Sequence, residues 1–203
     1  FPVFTYEEAV KKFGADKFDL RTEKEKKEGI LSFAWVVDFP FFEKTEKGNP
    51  AKKSGPSEWT FTHNPFSAPL NEEHEQWLLE GKNIEKIQAA QYDLVCNGYE
   101  VSGGSIRAHN PETLKATFRV LGYKDKEITE KFGHMVEAFE YGTPPHGGCA
   151  QGVERMLMTY LGEEYLREVQ AFPQTSSGRT SIMDAPSELD KKQLNELRLK
   201  VEK

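Results

Sequence analysis

Tyr92-Asp93-Leu94-Val95-Cys96-Asn97-Gly98-Tyr99-Glu100-Val101-Ser102-Gly103-Gly104-Ser105-Ile106-Arg107-Ala108-His109 is the stretch that decides the fold. Tyr92, Leu94 and Cys96 alternate against Asp93, Val95 and Asn97, the period of two that a β-strand imposes. After Gly98 the alternation resumes as Tyr99-Glu100-Val101. Ser102-Gly103-Gly104 then interrupts it, and Ser105 to His109 extends again. This predicts paired antiparallel strands with a glycine turn or bulge between them. Glu100 and Arg107 flank the interruption, and a return of the chain there would project both over one sheet face. Glu100 has the chemistry to hold Mg²⁺ or an amine, and Arg107 to clamp a carboxylate bidentately. A satisfied cross-strand salt bridge between them is the reading that needs no ligand. Asp38, at the edge of a strongly apolar strand, carries the same ambiguity.

Towards the N-terminus, Ser32 to Phe39 is rich in Phe, Trp and Val and reads as a buried strand ended by Pro40. Thr5-Tyr6-Glu7-Glu8 fits a capping box, followed by the apolar face Ala9, Val10 and Phe13, with Gly14 closing the helix. Lys17 to Glu28 is almost wholly charged with little to bury, which predicts an exposed linker or surface helix. Glu43 to Glu58 reads as a surface loop, Trp59 to Thr62 as a brief alternation, and Asn71 to Lys86 as a partly packed segment interrupted by Gly81.

Towards the C-terminus, Asn110 caps a helix that has Pro111 in its first turn and Leu114, Phe118 and Leu121 on its buried face. Ile128, Phe132, Met135, Val136 and Phe139 mark a second amphipathic helix ended by Gly142. Cys149 to Gly152 reads as a short central strand, and Met156, Leu157, Tyr160 and Leu161 as the helix after it. Beyond Leu189 the pattern fits helix and strand equally. Strands and helices mix without the βαβ rhythm of a parallel sheet, so the predicted class is α+β, an antiparallel sheet flanked by helices.

Composition narrows the function. A chain of 203 residues buries roughly 70% of its unfolded surface and needs no disulfide or metal staple. The 27 basic against 33 acidic residues give a net charge of −6, which argues against indiscriminate nucleic-acid binding but leaves room for a local basic patch. No apolar run approaches the roughly 20 residues of a membrane helix. The N-terminus lacks a secretory signal, and it also lacks an initiator Met, which hints that something precedes it. Cys96 and Cys149 read as reduced thiols in buried strands, which with the missing signal predicts a cytoplasmic protein.

Familiar catalytic patterns are missing. The five histidines, His63, His74, His109, His134 and His146, form no HxxxH or HExxH pair. Ser105 lacks the G-x-S-x-G elbow, and neither phosphate-cradling glycine loop occurs. Arg155, in the first turn of a helix, is more informative. A cation there opposes the helix dipole, so an anion should offset it: Glu154 next door, or a phosphate.

Three groups of residues together carry a family resemblance: Gly98-Tyr99-Glu100 with Ser102-Gly103-Gly104-Ser105-Ile106-Arg107-x-His109, Tyr141-Gly142-Thr143-Pro144-Pro145-His146-Gly147-Gly148, and Gly152-Val153-Glu154-Arg155. With Trp35 to Pro40, His63-Asn64-Pro65-Phe66 and Ala171-Phe172-Pro173 in order, the chain resembles the catalytic domain of bacterial-type aspartyl-tRNA synthetases. The resemblance implies a class II synthetase fold, activation of L-aspartate by ATP to aspartyl-adenylate, and transfer of aspartate to tRNA. It implies that Arg107 clamps the aspartate side chain, Glu100 binds Mg²⁺ near the ATP phosphates, Arg155 lies along ATP, and Gly152 with its strand backs the adenine. His63 falls near the amino-acid pocket, and Gly103, Gly104 and Ser105 border the substrate.

The departures bound this expectation. The family's anticodon-reading domain, its motifs 1 and 2 and its insertion domain are not recognisable. Residues 17–30 form a charged linker at the insertion's expected position, and residues 1–203 read as one partial catalytic domain, the C-terminal part. Such a chain is expected to expose apolar surface, to be inactive alone, and to belong to an aspartate-tRNA ligase that is a homodimer at full length. The alternatives are a free-standing paralogue that binds an amino acid or nucleotide without aminoacylating tRNA, an asparagine-related class II enzyme, or a partner completing a split enzyme.

Overall fold

A computed structural model describes residues 1–45, 55–180 and 185–201. The strands are β1 (Val3–Thr5), β2 (Phe33–Pro40), β3 (Phe42–Lys44), β4 (Trp59–Phe61), β5 (Gln88–Cys96), β6 (Tyr99–Ile106) and β7 (Gly147–Gln151). The helices are α1 (Tyr6–Phe13), α2 (Glu23–Lys27), α3 (Glu72–Glu80), α4 (Pro111–Val120), α5 (Asp125–Glu140), α6 (Val153–Leu161) and α7 (Lys191–Glu196). Five strands form one sheet in the order β1-β2-β5-β6-β7, antiparallel except for the parallel pair β1–β2, while β3 and β4 make a separate ribbon.

The turn between β5 and β6 is Asn97-Gly98, with φ of 51° and 92°, two successive left-handed residues that an Asn-Gly pair tolerates. Gly103 and Gly104 lie mid-strand in β6, so the chain does not return there. Instead a bulge shifts the register: Leu94 pairs with Ser102 and Val95 with Glu100, leaving Val101 as the extra residue. That one residue changes the phase of β6 and brings Glu100 onto the face shared by Gly103, Ser105 and Arg107. The expected common face is therefore real, but a bulge makes it.

One face of the sheet packs Ala34, Val36, Phe39 and Val95 against Ala9 and Phe18. The other gathers Leu94, Cys96 and Val101 with Leu31, Phe33 and Trp35. A third cluster holds α3, α4 and α5 around Leu78, Leu114, Phe118, Ile128 and Val136, with Phe41, Phe42 and Ile87.

Local signals translated directly. Thr5 and Glu8 form the capping box of α1, and Asn110 caps α4 with Pro111 in its first turn. The ambiguous Asn71–Lys86 segment resolves into α3, capped by Asn71 and stopped by Gly81 in the left-handed region, then a 3-10 turn at Ile84–Lys86. The ambiguous tail contains a helix, α7, capped by Asp190. Most of the Glu43–Glu58 loop lies outside the described residues.

Three expectations change. β7 is an edge strand, not a central one, and all five of its residues are exposed. Cys149 is therefore exposed, whereas Cys96 is buried as expected. The charged stretch is fastened at its start: Phe18 is buried and stacks on Phe13 at 4.1 Å, and Arg21 forks onto Asp19 at 2.8–3.2 Å while donating to the Ile30 carbonyl at 3.3 Å. Only α2, with no buried residue, is the surface helix anticipated. Among the described residues no helix is long and apolar enough to cross a membrane.

Candidate active site

β5 and β6 supply the polar residues of one sheet face. Asp93 pairs across the ladder with Gly103 and is almost fully buried at 2% exposure. A Cβ on Gly103 would lie 2.8 Å from Asp93 Oδ1 and 3.3 Å from Glu100 Oε1, so glycine leaves room for two carboxylates to approach each other. His63 reaches the same place from the segment after β4. Its ring stands edge-on to Phe39 at 4.7 Å, and its Nε2 lies 3.6 Å from Asp93 Oδ2.

Glu100 is held by two cations at one oxygen. Its Oε2 lies 3.4 Å from Lys17 Nζ and 3.5 Å from Arg155 Nη1, which also donates to the Glu100 backbone carbonyl at 3.0 Å. The anion that offsets Arg155 at the start of α6 is thus Glu100, 55 residues away, rather than neighbouring Glu154. Burial alone would lower the Lys17 ammonium, but the carboxylates of Asp16 and Glu100 outweigh it and hold the ammonium above the usual lysine range. Glu100, Gly103, Gly152 and Arg155 line one cleft of about 280 Å³, closed on other sides by Gln151, Glu154 and Gln170.

Arg107 lies farther along the same face, without a carboxylate partner among the described residues; the cross-strand salt bridge with Glu100 does not form. Its Nη1 donates to Asn64 Oδ1 at 3.2 Å, and its backbone N–H donates to the His146 carbonyl at 2.9 Å. It borders a second hollow of about 380 Å³ with Phe66, Met135, Phe139 and His146. Ser105 lies between these regions, fully buried. Gly104 points to the opposite face, where a Cβ would overlap the Gly148 carbonyl oxygen and come within 2.8 Å of the Tyr92 ring. Its missing side chain makes room for Tyr92, whose hydroxyl donates to the Gly148 carbonyl at 2.9 Å.

Four buried side-chain atoms among the described residues have no hydrogen-bond partner: Thr62 Oγ1, His63 Nδ1, Asp93 Oδ2 and Ser105 Oγ. Buried polar groups are nearly always paired, so His63, Asp93 and Ser105, gathered on the Glu100 face, have valences open to ordered water or to a ligand. The donors suit Mg²⁺. Asp93 and Glu100 offer hard oxygens, and Mg²⁺ binds through one or two carboxylates with substrate phosphates completing its shell. No group of three or more acidic, His or Cys side chains that could form an all-protein cage occurs among the described residues.

Reasoning on the sequence missed Asp93, Asn64 and Lys17. Asp93 had a signal: it shares its strand phase with buried Val95 and Gln91, an expensive position for a carboxylate with no task. Asn64 and Lys17 had none, because their partners lie 43 and 83 positions along the chain.

A sheet that is antiparallel but for β1–β2, with helices on its margins, is the fold of a partial class II synthetase catalytic domain. The family model for class II tRNA synthetases (D, K and N) matches residues 1–176, and the chain belongs to that family. It is 46% identical over 193 residues to the aspartate–tRNA(Asp/Asn) ligase of Chlorobium chlorochromatii and 45% identical over 174 residues to that of Cereibacter sphaeroides. These alignments cover 95% and 86% of this chain but only 29% and 27% of the relatives, so it spans under a third of their length. Among solved structures, the Entamoeba histolytica aspartyl-tRNA synthetase superposes with a TM-score of 0.56 at 22% identity, covering 89% of this chain and 33% of that one. The asparaginyl-tRNA synthetase of the same organism, in complex with asparaginyl-adenylate, gives 0.55 at 21%, covering 89% and 37%. At that identity the likeness establishes the fold.

Proposed function

We propose that this chain supplies part of the catalytic domain of an aspartate–tRNA ligase, which joins L-aspartate to ATP and passes the aspartyl group to tRNA. The supporting observation is the gathering of His63, Asp93 and Ser105 on one face, next to an arginine without a carboxylate partner among the described residues.

In this reading the Arg107 guanidinium receives the side-chain carboxylate of aspartate, and Asn64 fixes the angle of the fork. A neutral amide in that place would leave a partly buried cation uncompensated, which is the basis of selection. The α-carboxylate attacks the α-phosphorus of ATP, the bond to the β-phosphate bridging oxygen breaks, and pyrophosphate leaves with that electron pair. A ribose hydroxyl of tRNA then attacks the anhydride carbonyl and AMP departs. Arg155 lies along the cleft to meet triphosphate charge, with Gly152 at its floor. Asp93 and Glu100 are the groups that would hold Mg²⁺, which when bound neutralises charge on the departing pyrophosphate. His63 holds one wall beside Asp93, and Ser105 and the Gly103 backbone lie beneath the substrate. Gly104 contributes by admitting Tyr92 behind the site.

The complete polypeptide is proposed to work as a homodimer in the cytoplasm. Supporting an association surface, Val153, Leu157, Tyr160 and Leu161 expose apolar area on α6.

The test is aspartate-dependent ATP–pyrophosphate exchange. The complete polypeptide containing this chain is expected to exchange and its Arg107→Ala variant to fail, while the 203-residue chain alone gives none. Exchange driven by asparagine rather than aspartate, or aspartate binding without exchange by the complete polypeptide, would replace this reading with one of the two enzyme or paralogue alternatives.

A further inference from the structure

The two oxygens of Glu100 have separate surroundings. Oε2 takes both cations, Lys17 at 3.4 Å and Arg155 at 3.5 Å, while Oε1 is the oxygen near Gly103 on the Asp93 side. A glutamate has three soft torsions, and nothing in β6 itself fixes its carboxylate; Arg155 approaches it from α6, and also donates to the Glu100 backbone carbonyl. Lys17 approaches the same carboxylate from the opposite end of the chain. It precedes Phe18, which is buried against Phe4 and Phe13, and its ammonium is also 3.3 Å from Asp16 Oδ2. The segment that the sequence presents as a linker thus places a cation, paired with both Asp16 and Glu100, behind the site.

We infer that Lys17 is a positioning residue: by holding Glu100 Oε2, it turns Oε1 towards Asp93 and so shapes a two-carboxylate site for a divalent cation. This rests on the reading of Asp93 and Glu100 as the Mg²⁺ groups. Lys17 touches neither metal nor substrate, and acts through Glu100 alone.

Electrostatics and positioning predict opposite signs, which makes the inference testable. Removing a positive charge 3.4 Å from a metal-binding carboxylate tightens cation binding if charge is all that Lys17 contributes. If Lys17 orients Glu100, removing it weakens binding despite the lost repulsion. The probe is Mn²⁺, titrated with ATP present and followed by electron paramagnetic resonance on the complete polypeptide. Lys17→Met is expected to weaken Mn²⁺ binding at least fivefold, Lys17→Arg to restore most of it, and Glu100→Gln to weaken it further, with far-UV circular dichroism unchanged throughout. Unchanged or tighter binding in Lys17→Met, with Glu100→Gln impaired, overturns the positioning role and leaves the metal site standing. A wild-type protein that binds no Mn²⁺, or Glu100→Gln binding as wild type, overturns the metal reading and the role of Lys17 with it. Should Lys17→Met lose its fold, Lys17→Gln takes its place in the titration, judged by the same criterion.

Discussion

Glu100 and Gly103 stand on the same face of β6, although three positions separate them and simple alternation would place them on opposite faces. Val101 is the reason. As the extra residue of the bulge it buries its own side chain with Leu94 and Cys96 behind the sheet and advances the phase of everything after it. The two adjacent glycines that follow then face opposite sides, one towards the carboxylates and one towards Tyr92.

Substituting these glycines separates site from fold. Gly103→Ala meets only side-chain atoms of Asp93 and Glu100 and no backbone, so the fold can absorb it, but it drives the two carboxylates apart. Mn²⁺ binding is expected to fall about tenfold with little change in thermal midpoint. Gly104→Ala meets the Gly148 backbone, which cannot yield without opening the β6–β7 ladder. Its cost belongs at the upper end of the ~1–3 kcal/mol typical of overpacking, read by urea unfolding.

Asn64 steers the Arg107 fork, so Asn64→Ala is expected to act on aspartate and spare ATP. Loss of one hydrogen bond of about 1 kcal/mol corresponds to a severalfold rise in KM for aspartate, with kcat and KM for ATP nearly unchanged. Pyrophosphate exchange by the complete polypeptide measures it. Equal rises in both KM values would place Asn64 in folding rather than in aspartate recognition.

Asp19 fastens the stretch before α2, and its pairing gives a pH signature. The Arg21 guanidinium holds its carboxyl below the usual aspartate range. A lowered value in the folded state means that the pair stabilises above the unfolded carboxylate's titration, and that this stability is lost as pH falls through the folded value. Asp19→Asn is therefore expected to cost about 1 kcal/mol at pH 7, and the difference from wild type should shrink below about pH 4. Chemical unfolding at both pH values checks the sign; a constant difference would contradict it.

The exposed apolar side of α6 and the open edge of β7 predict self-association of the 203-residue chain. Sedimentation velocity should show concentration-dependent species, and a hydrophobic dye should bind. A monodisperse monomer that leaves the dye dark would remove this expectation.

The sequence by itself determined what acts over a few residues. Thr5 with Glu8, Asn110 with Pro111, the apolar run from Ser32 and the alternation from Tyr92 each carry their cap, composition or period locally, and each became the element foreseen, whereas Asn71 to Lys86 was settled as a helix only by its packing. Its ordered motif blocks also reached the family, and Glu100, Gly103, Gly152 and Arg155 came together in one cleft. Tertiary structure alone decided which side chains meet: the bulge at Val101, Asp93 facing inward, Lys17 behind Glu100, Asn64 on Arg107, and β7 at the edge. These depend on register between strands and on partners tens of residues apart. Such contacts are fixed only when the core closes around Phe18, Val36 and Val101 and makes every other register bury a charge or expose a ring.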